Sequence, residues 1–300
     1  MASTNFGAWL AARRVPRIAF IAGFFHLGLF GVVSTAVVIL AAIARGWRVA
    51  VTDCLVAGAL LVGFALVAGG PWQVFALSAG AVWPVAIGLG GLTGQFGTLI
   101  LPLQALLVLA GTAVAAFSLT VGDTTAYWAR ALELLAAELE AADMQVLASP
   151  EALTAWAPVM TGLTAATAVI SMVLALILGS WWAAGAGGPA LGPMFRNLRL
   201  GNVIGGAAAL AGIASIAGAG QLANDLLLVL ATGFVLQGLS VVHWYANKRQ
   251  WSWPVLLLVY LPMLPALVGL TVASTAWLAI AAIGFIDNWF PVRRANSNMV

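Results

Sequence analysis

Long apolar runs, separated by short stretches holding glycine, proline or arginine, fill most of this chain. A helix needs about 20 apolar residues to cross roughly 30 Å of hydrocarbon. The runs 18–43, 49–68, 72–90, 98–120, 154–182, 201–219 and 222–246 are of that order or longer, and a last one extends over 252–287. Gly69-Gly70-Pro71 and the glycine-rich stretch 88–97 read as turns, and residues 185–193, with Pro189 and Pro193, break the chain after Trp181-Trp182. Between the two apolar halves the pattern changes. Residues 123–151 hold Asp123, Glu133, Glu138, Glu140, Asp143 and Glu151, six of the nine acidic residues, against one basic residue, Arg130. There Trp128, Leu132, Leu135, Leu139, Ala142 and Val146 recur at steps of four and three, which sets them on one stripe of a helix with Glu133, Glu140 and Asp143 turned away. Ser149-Pro150 follows as an N-cap with proline at the first helical position.

The pattern predicts an all-α fold: a polytopic bundle of about 8–10 spans with one extramembrane amphipathic helix lying on the bilayer surface. It reads as a single integral membrane domain over 1–300, with a first helical block 17–122, the acidic segment 123–151 and a second block 152–294. Basic residues orient it. With Arg45, Arg48, Arg196, Arg199, Lys248, Arg249, Arg293 and Arg294 cytoplasmic, the acidic segment is extracytoplasmic. One crossing by 18–43 would then leave Arg13, Arg14 and Arg17 outside. Either that run is a hairpin of two short helices broken near Gly28 and Gly31, or the rule is violated there; the hairpin is the favoured reading. The run 252–287 is too long for one crossing and is interrupted by Pro262 and Pro265, so it reads as two crossings with a turn beyond Pro265. Both termini are expected in the cytoplasm of a bacterial cell, with the bundle in the inner membrane.

Composition supports the class. Hydrophobic residues make up 63% and charged residues 7%, against about a quarter charged in soluble domains. A net charge of +3 is too small to imply a nucleic-acid partner. The apolar run after Arg17 mimics a signal peptide but is too long for a cleaved one, and Arg13-Arg14 lacks a twin-arginine context. Cys54 is the only cysteine, which rules out an intrachain disulfide and a cysteine metal cluster. No phosphate loop, metal-ligand motif or nucleophile elbow is present, since Gly94 to Gly97 lacks the lysine a phosphate loop needs. The expectation is a non-enzyme with no cofactor and no metal.

Few residues remain as candidates. His26, Gln104 and Gln237 are the candidate ligand-binding positions inside the membrane, each weighed against a helix–helix hydrogen bond as the simpler role. His243, before Trp244-Tyr245 and Lys248, reads as interfacial. Trp47, Trp72, Trp181, Trp182, Trp244, Trp251, Trp253 and Trp289 fall at span ends as an aromatic belt. Gly201, Gly205, Ala208 and Gly212 form a small-residue stripe for close helix packing. Asp53, one turn from Arg48, Asp287, six residues before Arg293, and Asp225 all sit near span ends, so no carboxylate proton relay is expected. Any solute should be small and largely neutral.

The run Leu236 to Tyr245 with Lys248-Arg249, and the closing set Gly284, Asp287, Trp289, Phe290, Arg293 and Arg294, resemble the YybS-like family of bacterial membrane proteins, known as domain of unknown function 2232. The resemblance covers about residues 195–294, and its motif positions here are Gln237, Gly238, His243, Gly284, Asp287, Arg293 and Arg294. More distantly it is similar to the substrate-binding membrane components of energy-coupling-factor transporters and to the cell-shape protein MreD. It implies a helical membrane fold and carries over no catalytic residue. Two functions follow as expectations. One is a solute-binding or transport-related component. The other is a membrane scaffold that docks other membrane or envelope proteins. A closed pocket around Gln237 favours the first, a solid core the second.

Overall fold

The computed structural model describes residues 5–141, 150–264, 270–290 and 293. Among these there is no strand; the chain folds as α1 (Phe6–Ala12), α2 (Arg14–Phe24), α3 (Gly31–Arg45), α4 (Trp47–Val67), α5 (Trp72–Phe96), α6 (Ile100–Val121), α7 (Thr124–Ala141), α8 (Pro150–Thr154), α9 (Met160–Gly185), α10 (Leu191–Arg196), α11 (Gly201–Ile216), α12 (Gln221–Lys248), α13 (Trp253–Tyr260) and α14 (Leu270–Trp289). Six of these are long and apolar enough to cross a membrane: α4, α5, α6, α9 with the 3₁₀ turn before it, α12 and α14. α3, α11 and α13 with its 3₁₀ extension are shorter apolar helices. This is an all-α, multi-pass membrane bundle.

The run 18–43 is a hairpin. α2 stops at Phe24, the chain turns through Gly28 at φ +55° and the 3₁₀ turn Gly28–Phe30, and α3 returns. Ser34 Oγ donates to the Ile21 carbonyl at 2.6 Å, which ties the two arms together. At 1.5 Å per residue the arms are only about 16 and 22 Å long. The run 252–287 is likewise interrupted: α13 passes into a 3₁₀ turn, Leu261–Met263, at Pro262, and α14 starts at Leu270. Pro265 and the turn placed beyond it lie outside the described residues, as do Ala142, Asp143, Val146, Ser149 and Arg294.

Two expectations about turns and faces are corrected. Gly88 to Gly94 is helix, not turn, and α5 ends only at Gly97, in the left-handed region at φ +60°. In a bilayer a broken helix would expose unbonded backbone to hydrocarbon, so glycines continue the helix unless the chain is leaving the membrane. On α7 the buried positions are Thr124, Leu132 and Ala136, whereas Leu135, expected inward, is 45% exposed. The helix packs on the 3₁₀ turn Ala157–Val159 and on α8, and Trp128 Nε1 donates to Thr161 Oγ1 at 2.9 Å. Packing against protein selects the four-residue ridge and leaves Leu134 and Leu135 outside it.

Contacts group the chain into two compact units, Met1–Leu106 with Ile170–Arg199, and Leu107–Val169 with Leu200–Val300. In the first, α3 is the centre: Ala36 to Ala42 are buried on every side, as an all-round apolar helix requires. Gly179 of α9 lies against Ala36 and Ile39, and Gly90 of α5 against Ile39 and Ala42. In the second, α12 is the centre and crosses α14 where Gly238 meets the Ile280 carbonyl and Gly284 meets the Phe234 carbonyl. A Cβ at either glycine would clash with backbone, so these two motif positions are fixed by the crossing. Gly205 of the α11 stripe packs similarly on Asn288 and Trp289.

Candidate functional site

Along α5, Ala76, Gly80, Pro84, Gly88, Gly91 and Gln95 recur at steps of four and three, so they share a face. That face and the facing side of α4, from Trp47 through Val51 and Gly58 to Val62, line a groove of about 940 Å³ in the first unit. The size is that of a small-molecule pocket, about 300–1,000 Å³. Its wall is almost wholly apolar. A stripe of small residues at this spacing normally seats a neighbouring helix, yet a Cβ added at Gly80, Gly88 or Gly91 would meet nothing within 4 Å. The stripe lines open space.

Trp83 lines the groove midway along it. Trp83 is 5% exposed and its Nε1–H finds no acceptor. Its ring reaches this place because Gly58 opposite has no side chain; a Cβ there would stand 3.3 Å from the ring. Pro84, next along the chain, has no N–H and so frees the Gly80 carbonyl from the helix ladder. Phe25 of the hairpin turn packs on the Trp83 ring at 4.9 Å between centroids.

At one end of the groove lie Trp47, the first residue of α4, and Gln95, near the end of α5. A Cβ added at Gly94 would stand 3.2 Å from Ile43 Cα, so the ends of α5 and α3 come close together there. The chain turns between α3 and α4 at Gly46, φ +89°, with Arg45 and Arg48 exposed on either side. The Arg48 guanidinium lies over the Trp47 ring at 5.4 Å.

The residues singled out from sequence fall in different places. His26 belongs to the first unit, in the turn after α2, exposed and edge-on to Phe75 of the groove wall with centroids 4.1 Å apart. Gln104 is half-buried on α6 and does not line the groove. Gln237 belongs to the second unit and is fully buried, with both ends of its amide engaged: the oxygen accepts from Leu200 N–H at 2.9 Å and the nitrogen donates to Asp287 at 3.0 Å. Arg293 donates to the same Asp287 carboxylate at 2.6 Å and to Ser240 at 2.9 Å. Asn288 pairs reciprocally with the Gly201 amide and carbonyl at 2.9 and 3.0 Å. Gln237, Asp287 and Arg293 therefore brace α12, α14 and the start of α11 as a solid polar core. His243 Nε2 meets the Tyr260 hydroxyl at 2.7 Å and ties α12 to α13.

The aspartates expected near span ends, within reach of water or a basic neighbour, are all buried, and Asp287 does pair with Arg293, six residues on. Asp53, at 0% exposure, is held by Arg17 at 2.8 Å and Arg14 at 3.0 Å, not by Arg48. The hairpin folds the N-terminal arginines back over α4, a long-range pairing invisible to local spacing. Asp287 is 1% exposed and Asp225 is 2% exposed. Among the described residues no three His, Cys, Asp or Glu side chains come together as a metal site.

Trp83 and Gly80 were not singled out in the sequence. Their signal was there: a Trp-Pro pair in the middle of a span, away from the belt of tryptophans at span ends, flanked by glycines at helical spacing. Neither a family model, a curated protein nor a solved structure gives a match to this chain.

Proposed function

We propose that this protein is a solute-binding or transport-related membrane component whose site is the α4–α5 groove, and that the solute is a lipophile with an uncharged body. The observation that carries this reading is the row Gly80, Gly88 and Gly91, which holds open an apolar groove where helix packing would normally close one. The distribution of basic residues supports a bacterial inner membrane with both termini cytoplasmic, and the resemblance to the YybS-like family supports the class, not the solute.

The test is photo-crosslinking of the purified protein with a neutral alkyl diazirine, followed by peptide mapping. Label should concentrate on α4 and α5, and Gly88→Leu, which fills the groove, should remove most of it. Equal labelling of every lipid-facing helix, or label unmoved by Gly88→Leu, overturns the reading. A second reading, the membrane scaffold, is supported by the solid core around Gln237, which was to favour it, and by the same stripe, since a partner helix would seat on steps of four. Under it, Gly88→Cys in a Cys54→Ala background would crosslink to another protein in native membranes.

A further inference from the structure

We infer that the occupant of the groove is an anionic membrane lipid, its phosphate held at the Arg45–Arg48 turn and its hydrocarbon laid between α4 and α5; this rests on the groove being the binding site. The walls admit only hydrocarbon, but the mouth is different. Arg45 and Arg48 flank Gly46, both exposed, and neither has an acidic partner among the described residues. Of the other arginines near the start of this unit, Arg17 is buried against Asp53, Arg14 shares that carboxylate, and Arg13 lies over the Trp9 ring. Arg48 stacks on Trp47, and Trp47 is itself groove wall, so the positive charge and the apolar channel meet at one side chain. Gln95 adds an exposed amide at the same end. Two exposed arginines at the turn and an exposed amide at the groove end suit a phosphate, which takes planar guanidinium donors. A Cβ at Gly46 would meet nothing within 4 Å, so the turn leaves room for it. Uncharged lipophiles would leave the two guanidinium groups unmatched. A free phosphate would leave the groove empty.

The test uses the full-length protein, stripped of lipid and offered equal amounts of phosphatidylglycerol and phosphatidylcholine with identical chains, read by native mass spectrometry. Wild type should retain phosphatidylglycerol, with the preference falling about tenfold or more in the double variant Arg45→Gln, Arg48→Gln. Arg249→Gln, on the second unit, should leave the preference intact. Gly88→Leu should lower retention of both lipids. Equal retention by wild type overturns the inference while the neutral diazirine still reports whether the groove binds lipophiles. Loss of preference in Arg249→Gln to the same extent also overturns it, since general surface charge would then be the cause. Displacement of bound lipid by inorganic phosphate at equal concentration would make this a phosphate site and overturn the lipid assignment.

Discussion

Among the described residues three aspartates are buried, and they are stabilised in two ways. Asp53 and Asp287 each face arginine. Asp225 does not: one carboxylate oxygen accepts from Gly162 N–H and from Gln221 Nε2, both at 3.0 Å, and the other has no hydrogen-bond partner. Removing one member of a buried ion pair strands the other, at a cost of about 3–5 kcal/mol. Asp287→Asn should therefore lower thermal stability in a fixed detergent markedly, because Arg293 is 8% exposed and keeps its charge. Asp225→Asn strands no charge and keeps an oxygen for Gly162 and Gln221. Its melting temperature should match wild type or exceed it. A drop as large as that of Asp287→Asn would show that Asp225 has a counter-charge. The Asp287–Arg293 pair was legible from its six-residue spacing, whereas that of Asp53 was not, since it takes its partners from 36 and 39 residues away.

At the scale of elements, the helices themselves were legible because hydropathy and length are local properties. The hairpin was legible through a conflict in charge, with Arg13 to Arg17 demanding an even number of passages. What sequence spacing could not give was which glycines end a helix and which let two helices touch. Gly97 and Gly46 end helices at positive φ; Gly90, Gly238 and Gly284 sit inside them against backbone. The distinction lies in what stands opposite, a tertiary fact. It yields a sharp contrast. Gly238→Ala pushes a methyl into the Ile280 carbonyl and should destabilise by at least about 1–3 kcal/mol, the range for overpacked sites. Gly80→Ala meets open space and should leave stability unchanged or slightly raised, since alanine is the better helix former. The same reasoning revises the face of α7. Leu132→Asp should expose the segment to proteolysis, while Leu135→Asp, on an exposed position, should not.

At the scale of the whole molecule, the six long helices and the even-numbered hairpin make orientation testable in one experiment. If α4, α5 and α6 cross in turn after a cytoplasmic hairpin, α7 lies outside, and α9 returns the chain to the cytoplasm near Gly185. α11 and α12 then form an outward and a returning passage. This leaves Lys248, Arg249 and Ser252 inside and accounts for the basic residues at that turn. In a Cys54→Ala background, a cysteine at the exposed position Ala137 should react with an impermeant maleimide applied to intact cells. One at the exposed position Ser252 should react only after the membrane is opened. The assignment depends on α11, which at 16 residues is about 24 Å long and shorter than the hydrocarbon. It can make a full passage only where the bilayer thins or its flanking residues reach the interface. If α11 instead enters and leaves on the cytoplasmic side, α12 runs outward and Ser252 labels in intact cells. Labelling at both Ala137 and Ser252 would thus turn α11 into a second re-entrant element and reverse the orientation of α12 and everything after it.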